Sequence, residues 1–175
     1  MHILDIVENS LAAGAGRVEI RIEENLKEDR MTVEIVDDGC GMDEEMMQRV
    51  LDPFFTTKIV RRVGLGLPLL SESCRMSNGE LCLQSSPGRG TKVRATFQHS
   101  HIDRKPLGNM CDTLITLIAG HPEVDLLYEH RKEEASFSLD TREIKATLDD
   151  VPLNEPRVIS ALRSHILEGL GELGI

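Results

Sequence analysis

Two runs near the start of the chain restrict its fold more than any other feature. Residues 17–23 (RVEIRIE) put Val18, Ile20 and Ile22 on one side and charges on the other, and residues 31–36 (MTVEIV) do the same with Met31, Val33 and Ile35. Successive strand side chains point to opposite faces, so this alternation describes a sheet with one face in a core and one in water. The apolar face needs helices over it. Over residues 2–14, at about 100° per residue, Ile3, Leu4, Val7 and Leu11 cluster on one side while Asp5 and Asn9 fall opposite. Residues 43–51 (DEEMMQRVL) read as a short helix with acids in its first turn, where the helix dipole favours them. Residues 64–76 (GLGLPLLSESCRM) read as a glycine-rich lead into a helix that tolerates Pro68 near its start. Residues 79–97 predict a hairpin, with Leu81 and Leu83 on one strand and Val93, Ala95 and Phe97 on the other, joined through Pro87-Gly88-Arg89-Gly90. Helix, two strands, short helix, helix and two strands make an α+β fold: a two-layer α/β sandwich with helices on one face of a largely antiparallel sheet.

A polar, proline-punctuated stretch at 98–108 reads as a linker between a domain at 1–97 and a small C-terminal α+β extension at 109–175. Within the extension, 109–120 predicts a helix, 124–131 and 135–141 predict strands, and 154–173 predicts an amphipathic helix with Asn154 as its N-cap. The extension either stands as a second unit or completes the first domain. No apolar run is long enough to span a bilayer, and residues 1–10 lack the pattern of a signal peptide, so no membrane association is expected. The four cysteines (Cys40, Cys74, Cys82, Cys111) include no CxxC pair, which argues against a zinc site or disulfide framework and for a reducing, cytoplasmic setting. A net charge of −10 speaks against a nucleic-acid surface. It leaves open phosphate binding by backbone amides and helix N-termini.

Five segments carry the chemistry, in this order: DIVENSLAAGA (5–15), DDGCG (37–41), DPFFTTK (52–58), GLGL (64–67) and GRGT (88–91). Together they resemble the N, G1, F, G2 and G3 boxes of the GHKL ATPase superfamily, which has the Bergerat ATP-binding fold and includes gyrase-type topoisomerases, heat-shock chaperones, histidine kinases and MutL proteins. The resemblance covers about residues 2–97, and it implies ATP and Mg2+ as cofactors. It assigns magnesium to Asn9, whose amide oxygen suits a hard cation, and the adenine amino group to Asp37. It implies that Gly39 and Gly41 let backbone approach the base, with Met42 beside them, while Asp38 is a solvated neighbour. Gly64, Leu65, Gly66 and Leu67 become the phosphate-facing turn before a helix, Phe55 and Lys58 belong to the lid and phosphate region beside Phe54, and Thr91 lies near the adenine edge. Asp5, one turn before Asn9, stands where hydrolysing members carry glutamate, which makes it the catalytic candidate, with a shorter reach to an attacking water.

Only residues 59–63 separate the F and G2 boxes, a spacing that is similar to histidine kinases. The expected function is therefore a stand-alone ATP–Mg-binding module of histidine-kinase or anti-sigma-kinase type, a phosphotransferase acting on a separate protein. Two alternatives stand beside it. One is a slow, MutL-like ATPase whose nucleotide state drives a conformational switch or homodimer formation. The other is a non-catalytic ATP-binding regulatory subunit of a partner complex, for example a redox or hydrogenase assembly.

Overall fold

The computed structural model describes residues 3–51, 66–149 and 151–175. Phe54, Phe55, Lys58, Gly64 and Leu65 therefore lie outside the described residues. Helix α1 (Ile3–Ala12) buries Ile3, Ile6, Val7 and Ser10, one continuous stripe at helical spacing. Strands β1 (Arg17–Asn25) and β2 (Arg30–Asp37) pair antiparallel, with Ile20 opposite Ile35 and Ile22 opposite Val33. Helix α2 (Glu44–Arg49) starts at Asp43, whose carboxylate accepts from the Met46 amide at 2.8 Å. Helix α3 (Gly66–Met76) holds Pro68 in its first turn, where no intrahelical amide partner is lost. Strands β3 (Leu81–Ser85) and β4 (Thr91–Gln98) form the expected hairpin, and β4 also pairs with β2.

The C-terminal residues add α4 (Met110–Gly120), β5 (Asp125–Lys132), β6 (Ala135–Asp140), α5 (Thr141–Leu148) and α6 (Pro156–Glu172). The six strands form one sheet in the order β3-β4-β2-β1-β5-β6, antiparallel throughout except for the parallel pair β1–β5. The fold is α+β, a two-layer α/β sandwich. Val18, Ile20 and Ile22 lie opposite Leu126, Tyr128 and His130 on one side and Asp37, Ile35 and Val33 on the other, all buried. Helices α1, α3, α5 and α6 pack over this sheet. The other face carries charge: Arg21 lies directly opposite Glu34 and Glu129 and bonds to both, and to Glu19. Such exposed pairs stabilise little individually. Placing opposite charges across neighbouring strands nonetheless supports the register.

At the far end of the buried face, polar groups tie the added strands to the rest. Glu24 on β1 accepts from His130 Nε2 (2.9 Å) and from His99 Nε2 (2.7 Å), and Tyr128 Oη lies 2.8 Å from His130 Nδ1. His130 has no exposed surface. The two histidine partners hold the Glu24 carboxyl at about 2, below its ordinary 4.5.

Two details differ from the sequence expectation. Helix α6 is not capped by Asn154: Glu155 occupies the cap position without a side-chain bond, and Pro156 is the first helical residue. Proline has no amide to cap and a φ already suited to a helix, and it pushes the residue before it into extended backbone. Glu155 accordingly has ψ 130°. Helix α5 was not anticipated; Asp140 caps it by accepting from the Arg142 amide at 2.9 Å.

Candidate functional site

Strand β2 ends in a buried carboxylate, Asp37. Its Oδ1 accepts from the Gly39 amide (3.0 Å) and the Thr91 amide (3.1 Å), and its Oδ2 accepts from Ser10 Oγ (2.6 Å). Three separate segments thus fix one side chain. An ionised carboxylate offers roughly four acceptor positions, so three donors leave it able to take one more. Asp38, next in the chain, is exposed yet not idle: its Oδ1 accepts from the Gly16 and Arg17 amides, each at 2.8 Å, and pins the turn into β1.

Asp37 opens into a cavity of about 620 Å³, walled by Asn9 and Ser10 from α1, Met42 from the loop after β2, Leu67 from α3 and Thr91 from β4. That volume is in the range of ordinary small-molecule sites. Gly39 and Gly41 lie in the same loop, and a Cβ on Gly39 would meet the Ala13 carbonyl oxygen at 3.0 Å. Gly41 has φ +66°, and a Cβ there would lie 2.0 Å from the Ser86 carbonyl oxygen. The space left by its missing side chain is therefore taken by hairpin backbone. The Gly88 amide donates to the Cys40 carbonyl at 2.7 Å, and Gly90 is so close to the Asp37 carbonyl that a Cβ would meet it at 1.9 Å. The loop after β2 and the β3–β4 turn are pressed backbone to backbone.

On the opposite wall, α3 begins at Gly66, whose missing Cβ would touch Asp5 Cβ at 3.1 Å. The first amides of a helix have no intrahelical acceptor and attract anions. Asp5 is exposed at this α1–α3 contact, one turn before Asn9. Of the residues singled out from sequence, Asn9, Asp37, Gly41, Met42, Leu67 and Thr91 line the cavity, Gly39 donates to the Asp37 carboxylate, and Gly66 meets Asp5 where α1 and α3 touch. Cys40 is exposed and lines the cavity, whereas Cys74 does not line it and is buried in α3, where burial pushes it up to about 12.

Two hydroxyls escaped the sequence reading. Ser10 holds Asp37, and Ser85 accepts from the Met42 amide at 2.8 Å while lying 2.9 Å from Thr91 Oγ1. Each sits on the apolar phase of its element: Ser10 follows Ile3, Ile6 and Val7 on α1, and Ser85 follows Leu81 and Leu83 on β3. A hydroxyl where the period calls for an apolar residue was the available signal.

The model of the family described as histidine kinase-, DNA gyrase B- and HSP90-like ATPase matches residues 2–101. The chain is 37% identical over 98 residues to the sensor histidine kinase YxdK of Bacillus subtilis (strain 168), a match covering 53% of this chain and 30% of that protein. It is 35% identical over 96 residues to the signal transduction histidine-protein kinase AtoS of Escherichia coli (strain K12), covering 54% of this chain and 15% of that one. The matched region is thus a minor part of both kinases. Among solved structures, the N-terminal domain of a DNA repair protein is similar in fold, with a TM-score of 0.53 at 14% identity over 79% of this chain and 50% of that one.

Proposed function

The chain belongs to the histidine kinase-, DNA gyrase B- and HSP90-like ATPase family, and on that premise we propose that it binds ATP with Mg2+ and passes the terminal phosphate to a separate protein. The observation that carries the reading is Asp37: a buried carboxylate, held by three donors, with acceptor capacity left toward a cavity of nucleotide size. Adenine presents an amino donor to such a group, and guanine presents a carbonyl that it repels. The Asn9 amide, on the cavity wall, is a suitable hard-cation ligand. Magnesium, when bound, would neutralise phosphate charge there. The amides at the start of α3 would hold phosphate oxygens, and Leu67 and Met42 would keep water from the base. Among the described residues, no helix is long and apolar enough to cross a membrane. A cytoplasmic protein substrate or complex is the proposed partner.

Calorimetry with ATP and GTP, each with and without magnesium, tests the binding. Incubation with γ-labelled ATP and co-purifying proteins then tests the chemistry. Label on a second protein supports transfer. Free phosphate alone would replace it with hydrolysis, and neither product would leave a binding module.

A further inference from the structure

The outer face of the sheet is uneven in charge. Val93 on β4 lines the cavity that holds Asp37, and Arg94, next in the chain, turns to the other side. There a cleft of about 370 Å³ runs over β3, β4 and the start of β2. Arg30, Lys92 and Arg94 line it against a single carboxylate, Glu80, in a chain whose net charge is −10. This cleft is a positive pole on an acidic molecule.

Two of the three cations are already matched. Arg30 pairs with Glu28 at 2.6 Å, and Lys92 pairs with Glu34 Oε2 at 2.8 Å. Arg94 is exposed and lies directly opposite Glu34 on β2 and Cys82 on β3. The remaining Glu34 oxygen, Oε1, is taken by Arg21 at 3.4 Å. Among the described residues, Arg94 therefore forms no ion pair. It also walls an adjoining cleft of about 260 Å³ that continues over β2, β1 and β5. A guanidinium presents a planar fork of donors that fits a carboxylate.

We propose that this outer face docks an acidic, extended segment of a partner protein, with Arg94 as its central carboxylate contact. A nucleic acid fits less well. Its phosphates would meet Glu80 in one cleft and Glu23, Glu34 and Glu129 in the next. Among the described residues Phe97, Tyr128 and Phe137 are buried, so no ring is offered for bases to stack on. A peptide can set carboxylates on Arg94 and neutral polar groups beside those glutamates. Docking here lies across the sheet from the cavity and leaves it open. In naming a partner's chemistry the proposal rests on the reading of a separate protein partner given above, and not on ATP binding.

The test uses the full chain and a fluorescein-labelled, glutamate-rich peptide at low salt, followed by anisotropy. Wild type should bind the peptide, and added salt should weaken binding, because exposed charges are screened. Arg94→Ala should weaken it about three- to fivefold, the upper part of the range for an exposed charge pair. Arg94→Glu should weaken it further and Arg94→Lys least, whereas Arg157→Ala, removing an exposed cation on α6, should change nothing. Thiol footprinting locates the contact. The peptide should slow alkylation by iodoacetamide of Cys82, in the cleft, and spare Cys40, at the cavity, while ATP should do the reverse. No peptide binding, binding unchanged by Arg94→Glu, or a Cys82 that stays fully reactive would overturn the proposal. An oligonucleotide of equal charge that binds this face more tightly than the peptide would also overturn it. Protection of Cys82 by peptide without any binding of ATP would support the docking face and overturn the ATP reading alone.

Discussion

Replacing Glu24 by Gln tests how the C-terminal strands are held. Both oxygens of the Glu24 carboxylate are used, one by His130 and one by His99. Burial pushes the Tyr128 hydroxyl up, and that hydroxyl lies 2.8 Å from His130 Nδ1 while His130 Nε2 donates to Glu24. The Arg104 guanidinium donates to the His99 carbonyl and to Met31 Sδ. A glutamine keeps the shape but turns an NH2 toward one of two donors and removes the charge. Lost charge-assisted bonds predict a cost of about 2–3 kcal/mol, or roughly 5–10 °C in melting temperature for a chain of this size. The pH dependence follows from the carboxyl being held at about 2 when folded and near 4.5 when unfolded. The folded value is the lower one, so the contribution is fully present above 4.5 and is lost as pH falls toward 2. Its ceiling at neutral pH is on the order of 3 kcal/mol. Urea melts of wild type and Glu24→Gln between pH 7 and pH 3, followed by circular dichroism, should therefore converge as pH falls. Asp29 and Asp140, also held low by their hydrogen bonds, titrate in both proteins and cancel in the difference. A gap that stays constant from pH 7 to pH 3, or no gap at pH 7, would refute the reasoning.

Asp37→Asn should weaken ATP binding by roughly 1.5–3 kcal/mol, the range for a charge-assisted bond; equal affinity of the wild type for ATP and GTP by calorimetry would sink the base assignment. Asn9→Ala should leave metal-free nucleotide binding nearly unchanged and abolish the magnesium-dependent increment; a retained increment would assign the ion to another group. Gly41→Ala combines a positive φ with a backbone clash at the Ser86 carbonyl, whereas Gly14→Ala has a positive φ of 75° and open space. Melting should therefore show Gly41→Ala as the more destabilising by about 1–3 kcal/mol, and equal effects would remove the clash from the account. If Asp5 is a general base, Asp5→Asn should lower phosphate release about 10²–10⁴-fold at unchanged ATP affinity, and Asp5→Glu should keep or raise it; silence in both would make Asp5 a bystander.

The alternation of β1 and β2 made the buried face legible because a strand's period reports directly which side chains share a core. It says nothing about which strand lies alongside. β5 follows β1 by about a hundred residues and pairs with it parallel, with Ile20 beside Tyr128. No local pattern encodes that choice. The site divides the same way. Asp37 and Asn9 entered the reading through the resemblance of DDGCG and DIVENSLAAGA to the family's boxes, because a strand-end aspartate beside glycines reads by itself as a turn residue and an amide opposite an apolar stripe as a solvated one. Ser10 and Ser85 did not, since each lies in phase with apolar neighbours and reads as a tolerated small residue. Their roles appear only once Asp37 and Met42 come to rest against them.

The position of β5 also bears on the cavity. Without it, β1 would present an unpaired edge, a row of free amides and carbonyls open to other chains. With it, the Asp125 amide donates to the Gly16 carbonyl at 2.9 Å, while the Gly16 amide donates to Asp38 at 2.8 Å. Gly16 lies in the short turn that connects α1, with Asn9 and Ser10, to β1. That turn is held from one side by the loop that follows Asp37 and from the other by the start of β5. The C-terminal strands therefore help to set the distance between α1 and β2, the two elements whose side chains meet at the Ser10–Asp37 bond.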